Sequence, residues 1–258
     1  MTNTRNYVIR RMNKITDSML LSRLRKLSQI IADPFLFSAL LKGTVAGVEH
    51  RSLLQNLQLD YIVDVGANRG QFALVARKQF PQARIISFEP LAEPAAVFRR
   101  VFKSDTLTSL HQIAIGPEEK FLPMHVSRAD DSSSLLPISA FQSSLFPGTE
   151  EKEIRNIGVK PLNVILSTKG IKSPALLKID VQGYELEVLK GCLSLLSSFE
   201  YIYLECSFME LYSGQALAHE IIAFLEKEGF YLSGVYRLSY DRQGASVQGD
   251  FLFKRTET

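Results

Sequence analysis

YIVDVGANRG, residues 61–70, is the stretch from which the fold is read. Its first half, Tyr61-Ile62-Val63-Asp64-Val65, is short, apolar and rich in β-branched residues. That is the composition of a strand buried on both faces of a parallel sheet. Gly66, Ala67, Asn68 and Gly70 then make a small-residue turn, and residues 71–80 (QFALVARKQF) resume with helical spacing. Strand, glycine turn and helix in that order place backbone N–H groups and a helix N-terminus over one end of the sheet, which is how nucleotide-type cofactors are held. The turn is not the dinucleotide G-x-G-x-x-G pattern. Asn68 takes the second glycine's place and Gln71 the third's, leaving G-x-N-x-G with Asp64 two residues before it.

Residues 84–88 (RIISF) read as the next strand, closed by Glu89, 25 positions after Asp64. An acid at the tip of the second strand is placed to bind ribose hydroxyls. Residues 107–115 (LTSLHQIAI) read as the third strand with its exit, whose end would lie beside an adenine pocket lined by His111, Gln112 and Ala114. Residues 176–180 (LLKID) and 201–205 (YIYLE) are further buried strands with charged ends. Asp64, Glu89, Asp180 and Glu205 would therefore share one edge of the sheet, where ligands of open α/β sheets bind. Asp180 could alternatively cap the helix that follows it.

A chain of 258 residues fits one α/β domain with a modest extension. Its composition, 46% hydrophobic and 22% charged, is that of an ordinary globular protein, and a net charge of +3 is too small to argue for a nucleic-acid partner, so none is expected. Cys192 and Cys206 lack metal-ligand spacing and sit in apolar contexts, which predicts buried reduced thiols and a cytoplasmic setting. Seven basic residues against one acid in positions 1–26, with Leu20, Leu24, Leu27 and Ile31 at helical spacing, predict an amphipathic helix over 16–31. Its charges are scattered around the helix. Packing on the domain is therefore the favoured reading over weak peripheral contact with an anionic membrane. Asp33-Pro34 starts another helix.

The rest of the chain supplies a candidate lid and an antiparallel edge. Residues 121–126 read as a short strand, and residues 127–148, serine-rich with several phenylalanines and leucines, as a lid or binding loop. Residues 160–166 return as a short strand. Helices are expected over 184–196 and 214–228, and residues 230–235 and 250–253 would pair antiparallel at the C-terminal edge. The reading is a doubly wound, Rossmann-like α/β domain over 59–258 behind an N-terminal helical extension over 1–58.

Several of these segments also carry a family resemblance. VDVGANRGQF (63–72), SFEP (87–90), AIG (114–116), SSSLL (132–136), KIDVQGYELEVLKG (178–191) and the tail LYSGQ…GF…GDFLF resemble the FkbM family of S-adenosylmethionine-dependent methyltransferases. The similarity runs from about residue 60 to 254. Gln182 stands where the family usually has Glu, so no acidic role is carried over to that position. The resemblance implies the class I methyltransferase fold, S-adenosylmethionine as cofactor, and methyl transfer to a hydroxyl of a sugar, glycolipid, polysaccharide or natural product.

On that basis Asp64, Gly66, Ala67, Asn68 and Gly70 would hold the methionine end of the cofactor. Glu89 would hold the ribose, with Pro90, Gln112 and Ala114 around the base. Asp180 is the leading candidate for a general base or orienting acid, ahead of Lys178 and Glu205, with His125 weaker. Ser132, Ser133 and Ser134 would bind or cover a small-molecule or glycan acceptor. No ligand cluster argues for a metal through Asp180 and Glu205. Two other readings are a nicotinamide-dependent oxidoreductase, disfavoured by Asn68 and the missing third glycine, and a non-catalytic binding module on the same fold.

Overall fold

In the computed structural model, which describes residues 24–256, residues 24–31 are helical and lead into α1 (Pro34–Leu41). Asp33 caps α1 through its side chain, accepting from the amides of Phe35 and Leu36. The helix expected over 16–31 thus lies partly outside the described residues. The domain then alternates β1 (Tyr61–Val65), α2 (Gln71–Gln79), β2 (Arg84–Phe88), α3 (Ala92–Val101) and β3 (Thr108–His111). Next come β4 (Ala114–Ile115), β5 (Lys120–Ser127), α4 (Ala140–Leu145) and β6 (Glu151–Lys160). The chain closes with β7 (Ala175–Ile179), α5 (Glu185–Cys192), β8 (Tyr201–Ser207), α6 (Ala218–Lys227), β9 (Phe230–Tyr240) and β10 (Ser246–Arg255).

Seven strands form the main sheet in the order β3-β2-β1-β7-β8-β10-β9. The first five are parallel, and β10 runs against both neighbours. Strand order reverses between β1 and β7, which opens a crevice at their carboxyl ends. Alternation along β1 feeds two cores. Tyr61, Val63 and Val65 join α5 and α6 on one face, while Ile62 joins α2, α3 and the N-terminal helices on the other.

The expected strand over 160–166 is corrected. Residues 151–160 form β6 and Leu162–Ile165 is a short helix, because β6 is drawn into a second sheet, β4-β6-β5, which the sequence reading did not anticipate. This small sheet carries residues 127–148 over the crevice. That connection is itself ordered by a turn at Asp130–Ser132, by α4, and by a bridge between His125 and Ser134. Cys192 and Cys206 are buried free thiols. Among the described residues no helix is long and apolar enough to cross a membrane.

Candidate active site

Packing of the β1 turn against β7 creates the site. Gly66 has φ +77°, and a Cβ placed there would lie 1.8 Å from the carbonyl oxygen of Asp180. Only glycine permits that approach. Asn68 (φ 47°) donates its amide to Glu89 Oε2 at 2.9 Å, and the Leu91 amide donates to Oε1 at 2.8 Å. Burial raises the Glu89 carboxyl to about 7, although these two amides pull the other way. The result is a cleft of about 460 Å³ along the carboxyl ends of the strands.

One end of the cleft is lined by Gly66, Ala67, Asn68, Glu89, Pro90 and Ala114, with Leu91, Ile113 and Met124 as apolar walls. Beneath it the parallel register sets Asp64, Lys178 and Tyr203 side by side on β1, β7 and β8. Lys178 Nζ lies 3.0 Å from Asp64 Oδ1 and donates to the Gly66 carbonyl at 3.0 Å. Burial opposes the Lys178 charge, but Asp64 and Asp180 outweigh it and raise the ammonium pKa. Lys178 is therefore a cationic prop for the turn and not a proton acceptor.

Past Lys178, the tips of β7 and β8 bring two carboxylates together. Gln182 Nε2 donates to Asp180 Oδ1 at 2.8 Å and to Glu205 Oε2 at 3.2 Å. A donor is required between two carboxylates, and the amide supplies it. Tyr212 Oη donates to Gln182 Oε1 at 2.8 Å and fixes the amide's orientation. Gln182 takes φ 58° in this turn, while Glu185 Oε1 accepts from the amides of Val181 and Gly183. Burial, then Asp180, Asp250 and Glu185, raise the Glu205 carboxyl well above its usual value, so it favours its protonated form. Asp180 is the more open acid, its side chain 41% exposed.

The far end draws on segments remote in sequence: Lys26 and Glu49, paired at 2.8 Å, together with His50, Arg237 and Gln248. His50 Nδ1 lies 3.0 Å from Tyr203 Oη, which donates to Asp250 Oδ2 at 2.6 Å. Arg237 Nη1 donates to the same oxygen at 3.0 Å. Arg237 has φ 49° where the β9–β10 register slips, and this bulge aims its side chain toward Asp250.

Of the residues predicted from sequence, Gly66, Ala67, Asn68, Glu89, Pro90, Ala114, Asp180, Lys178, Glu205, Ser132 and Ser133 line this one cleft. Four do not. Asp64 is wholly buried under the turn as the counter-ion of Lys178, and Gly70 (φ +91°) is held against Phe98 and Phe102 as the N-cap of α2. Gln112 points away and accepts from Arg99, because the chain leaves β3 there and Ile113 takes the wall position. Ser134 is buried, its hydroxyl accepting from the Leu136 amide. Ser133 Oγ likewise accepts from the Ser127 amide, so its hydroxyl serves the loop. His125 pairs with Glu151 at 2.5 Å outside the cleft. His50, Tyr203, Arg237 and Asp250 were missed. Their only sequence trace is a polar residue inside an apolar strand, at Tyr203 and Asp250.

The Methyltransferase FkbM domain matches residues 64–232, which span the turn, both carboxylates and most of the sheet. The chain belongs to the FkbM methyltransferase family. Among its relatives, the 2-O-methyltransferase NoeI of Sinorhizobium fredii is 27% identical over 81% of this chain and 85% of that protein. Methyltransferase 1 of Beauveria bassiana is 27% identical over 51% of this chain, and the match spans only 57% of that protein's length. A solved Klebsiella pneumoniae structure assigned as an O-methyltransferase shares the fold at TM-score 0.50, with 15% identity, covering 91% of this chain and 97% of that one.

The family's cofactor is S-adenosylmethionine, and the cleft residues fit it. Asn68 Oδ1 and Gln71 Oε1 are buried acceptors without a hydrogen-bond partner on the cleft wall, suited to an ammonium group. Each Glu89 oxygen holds one amide and keeps a lone pair for a ribose hydroxyl. Leu91, Ile113 and Met124 offer the apolar walls a purine needs.

Proposed function

We propose that this FkbM-family chain is an O-methyltransferase acting on a hydroxyl of a glycan or a small-molecule natural product. The observation that carries the reading is the Asp180–Gln182–Glu205 arrangement. It holds one open carboxylate between the cofactor turn and a polar cleft end free for an acceptor. S-adenosylmethionine, when bound, supplies an already activated methyl group. The protein's share is to align an acceptor oxygen, exclude water and dispose of a proton. Asp180 accepts a hydrogen bond from a hydroxyl of the acceptor that neighbours the reacting one, and the Asp130–Ser132 turn covers the acceptor. NoeI, named as a 2-O-methyltransferase, supports hydroxyl oxygen as the acceptor atom.

The test is transfer of tritiated methyl from S-adenosylmethionine to a panel of methyl glycosides and to extracted glycolipids, with a gain of about 14 Da in the product. S-adenosylmethionine at a hundredfold excess over its dissociation constant should stabilise the fold by about 2.7 kcal/mol, and NAD should not. A thermal shift with NAD alone would turn the reading to a dehydrogenase. A shift with S-adenosylmethionine but no labelled product in any glycan or extract would turn it to a binding module.

A further inference from the structure

The four side chains at the far end of the cleft fix a tautomer. Tyr203 has one phenolic proton and two neighbours, Asp250 Oδ2 at 2.6 Å and His50 Nδ1 at 3.0 Å. Burial raises the Asp250 carboxyl, but the Arg237 guanidinium, 3.0 Å from that oxygen, and the Tyr203 hydroxyl pull the other way, and 2.6 Å is the length of a charge-assisted O–H···O⁻ bond. The proton therefore goes to Asp250. Tyr203 Oη is left as an acceptor, so His50 Nδ1 must carry the hydrogen. In a neutral imidazole this leaves Nε2 bare. Among the described residues the hydrogen-bonding neighbour of Nε2 is Arg237 Nη1, at a long 3.4 Å and already donating to Asp250. The His50 ring stands edge-on to Phe72, 5.3 Å between centroids, in the cleft wall.

We propose that Nε2 of His50 is the base that takes the acceptor's proton, with Asp180 orienting the acceptor through a neighbouring hydroxyl; this rests on the methyl-transfer reading above. As the hydroxyl oxygen bonds the methyl carbon, the carbon–sulfur bonding pair stays with sulfur and the hydroxyl proton passes to Nε2. Tyr203 and Asp250 hold the ring through Nδ1, and Asp250 Oδ2, 4.0 Å from Nδ1, offsets the imidazolium until solvent removes the proton. The charged and titratable groups facing His50 are Lys26, Glu49, Lys178, Tyr203, Arg237 and Asp250. Burial first, then Arg237, Lys178 and Lys26, push its pKa well below the ordinary 6.5, so the neutral base is the form present at pH 7.

Two measurements test this. Nitrogen-15 spectra of histidine-labelled protein saturated with S-adenosylhomocysteine should show His50, assigned by its loss in His50→Gln, neutral at pH 7 with Nδ1 protonated and Nε2 bare. The opposite tautomer or a cationic ring overturns the proposal, and Tyr203→Phe should mix the two tautomers. In the tritium assay with methyl glycosides, His50→Gln should lose at least about a hundredfold in kcat while binding S-adenosylhomocysteine within about twofold of wild type. The acid limb of the pH profile should vanish with it, and added imidazole should restore part of the rate. A His50→Gln enzyme that keeps both kcat and the acid limb overturns the base assignment. If the wild-type protein labels no glycoside, the function is what fails, and the spectra still decide the state of His50.

Discussion

The two ends of the cleft are built by different means. The cofactor end is made of backbone at the tips of neighbouring strands. Gly66 and Asn68 follow β1, Glu89 and Pro90 follow β2, and Ile113 to Ile115 follow β3. The far end is made of side chains from positions 26, 49, 50, 237 and 248, which only the tertiary fold brings together. The first type of construction leaves glycines and acids at fixed short spacings in a sequence. The second leaves almost nothing. Lys178 lies beneath both, propping Gly66 on one side and standing 3.8 Å from Asp180 on the other.

Removing that shared prop should have the largest effect. Lys178→Met strands Asp64 as a buried charge without its partner, a loss of about 3–5 kcal/mol in chemical denaturation. A smaller loss would mean Asp64 already carries a proton, and the two ends would not depend on a common ion pair. Gly66→Ala should strike the cofactor end next. Its Cβ would lie 1.8 Å from the Asp180 carbonyl oxygen on a left-handed backbone, so S-adenosylhomocysteine affinity should fall at least about a hundredfold by calorimetry. Wild-type affinity would show that the turn can be rebuilt.

Asp180→Asn separates the two ends. It should cut turnover at least about tenfold and leave S-adenosylhomocysteine affinity within about twofold, because the amide keeps the shape but accepts a weaker hydrogen bond from the acceptor's neighbouring hydroxyl. Equal losses in both would place Asp180 at the cofactor end. Glu89 is the pH handle on that end. Burial holds its carboxyl at about 7 in the free protein, against an ordinary 4.5. The folded chain thus keeps a proton that the unfolded chain has released, and this group's contribution to stability is lost as pH rises from about 4.5 through about 7. Ribose hydroxyls donate to the ionised form, so cofactor affinity should move the other way, tightening by up to about tenfold between pH 6 and pH 8. Glu89→Gln should bind more weakly and without that slope.

How much was legible follows the same division. Val63 to Asn68 and Ser87 to Pro90 were readable because a parallel strand, a glycine turn and a tip acid are local features with fixed spacing. Asp180 and Glu205 were readable as charges ending apolar strands. Asp64 was placed on the right edge but in the wrong layer. Side-chain alternation turned it beneath the turn, and nothing in its neighbours announces that Lys178 lies opposite. The second sheet escaped because β4 is two residues long and pairs with β6, some 45 residues away. His50 escaped because its meaning depends on Tyr203, Arg237 and Asp250, whose convergence requires the β9–β10 bulge.

Gln112 is the smallest and most discriminating case. From the sequence it belongs to the adenine wall, since the end of a third strand borders that pocket in doubly wound sheets. In the structure β3 stops at His111, whose ring stacks on Phe88 at 5.2 Å, and Gln112 swings out to accept from Arg99 while Ile113 turns in. Gln112→Ala should therefore change S-adenosylhomocysteine affinity by less than about twofold, the loss of one exposed hydrogen bond remote from the ligand. Ile113→Ala, which removes apolar wall, should cost more. If the order is reversed, the adenine lies against the third strand as its position in the sequence implied, and the wall assigned to Ile113, Ala114 and Met124 belongs to something other than the base.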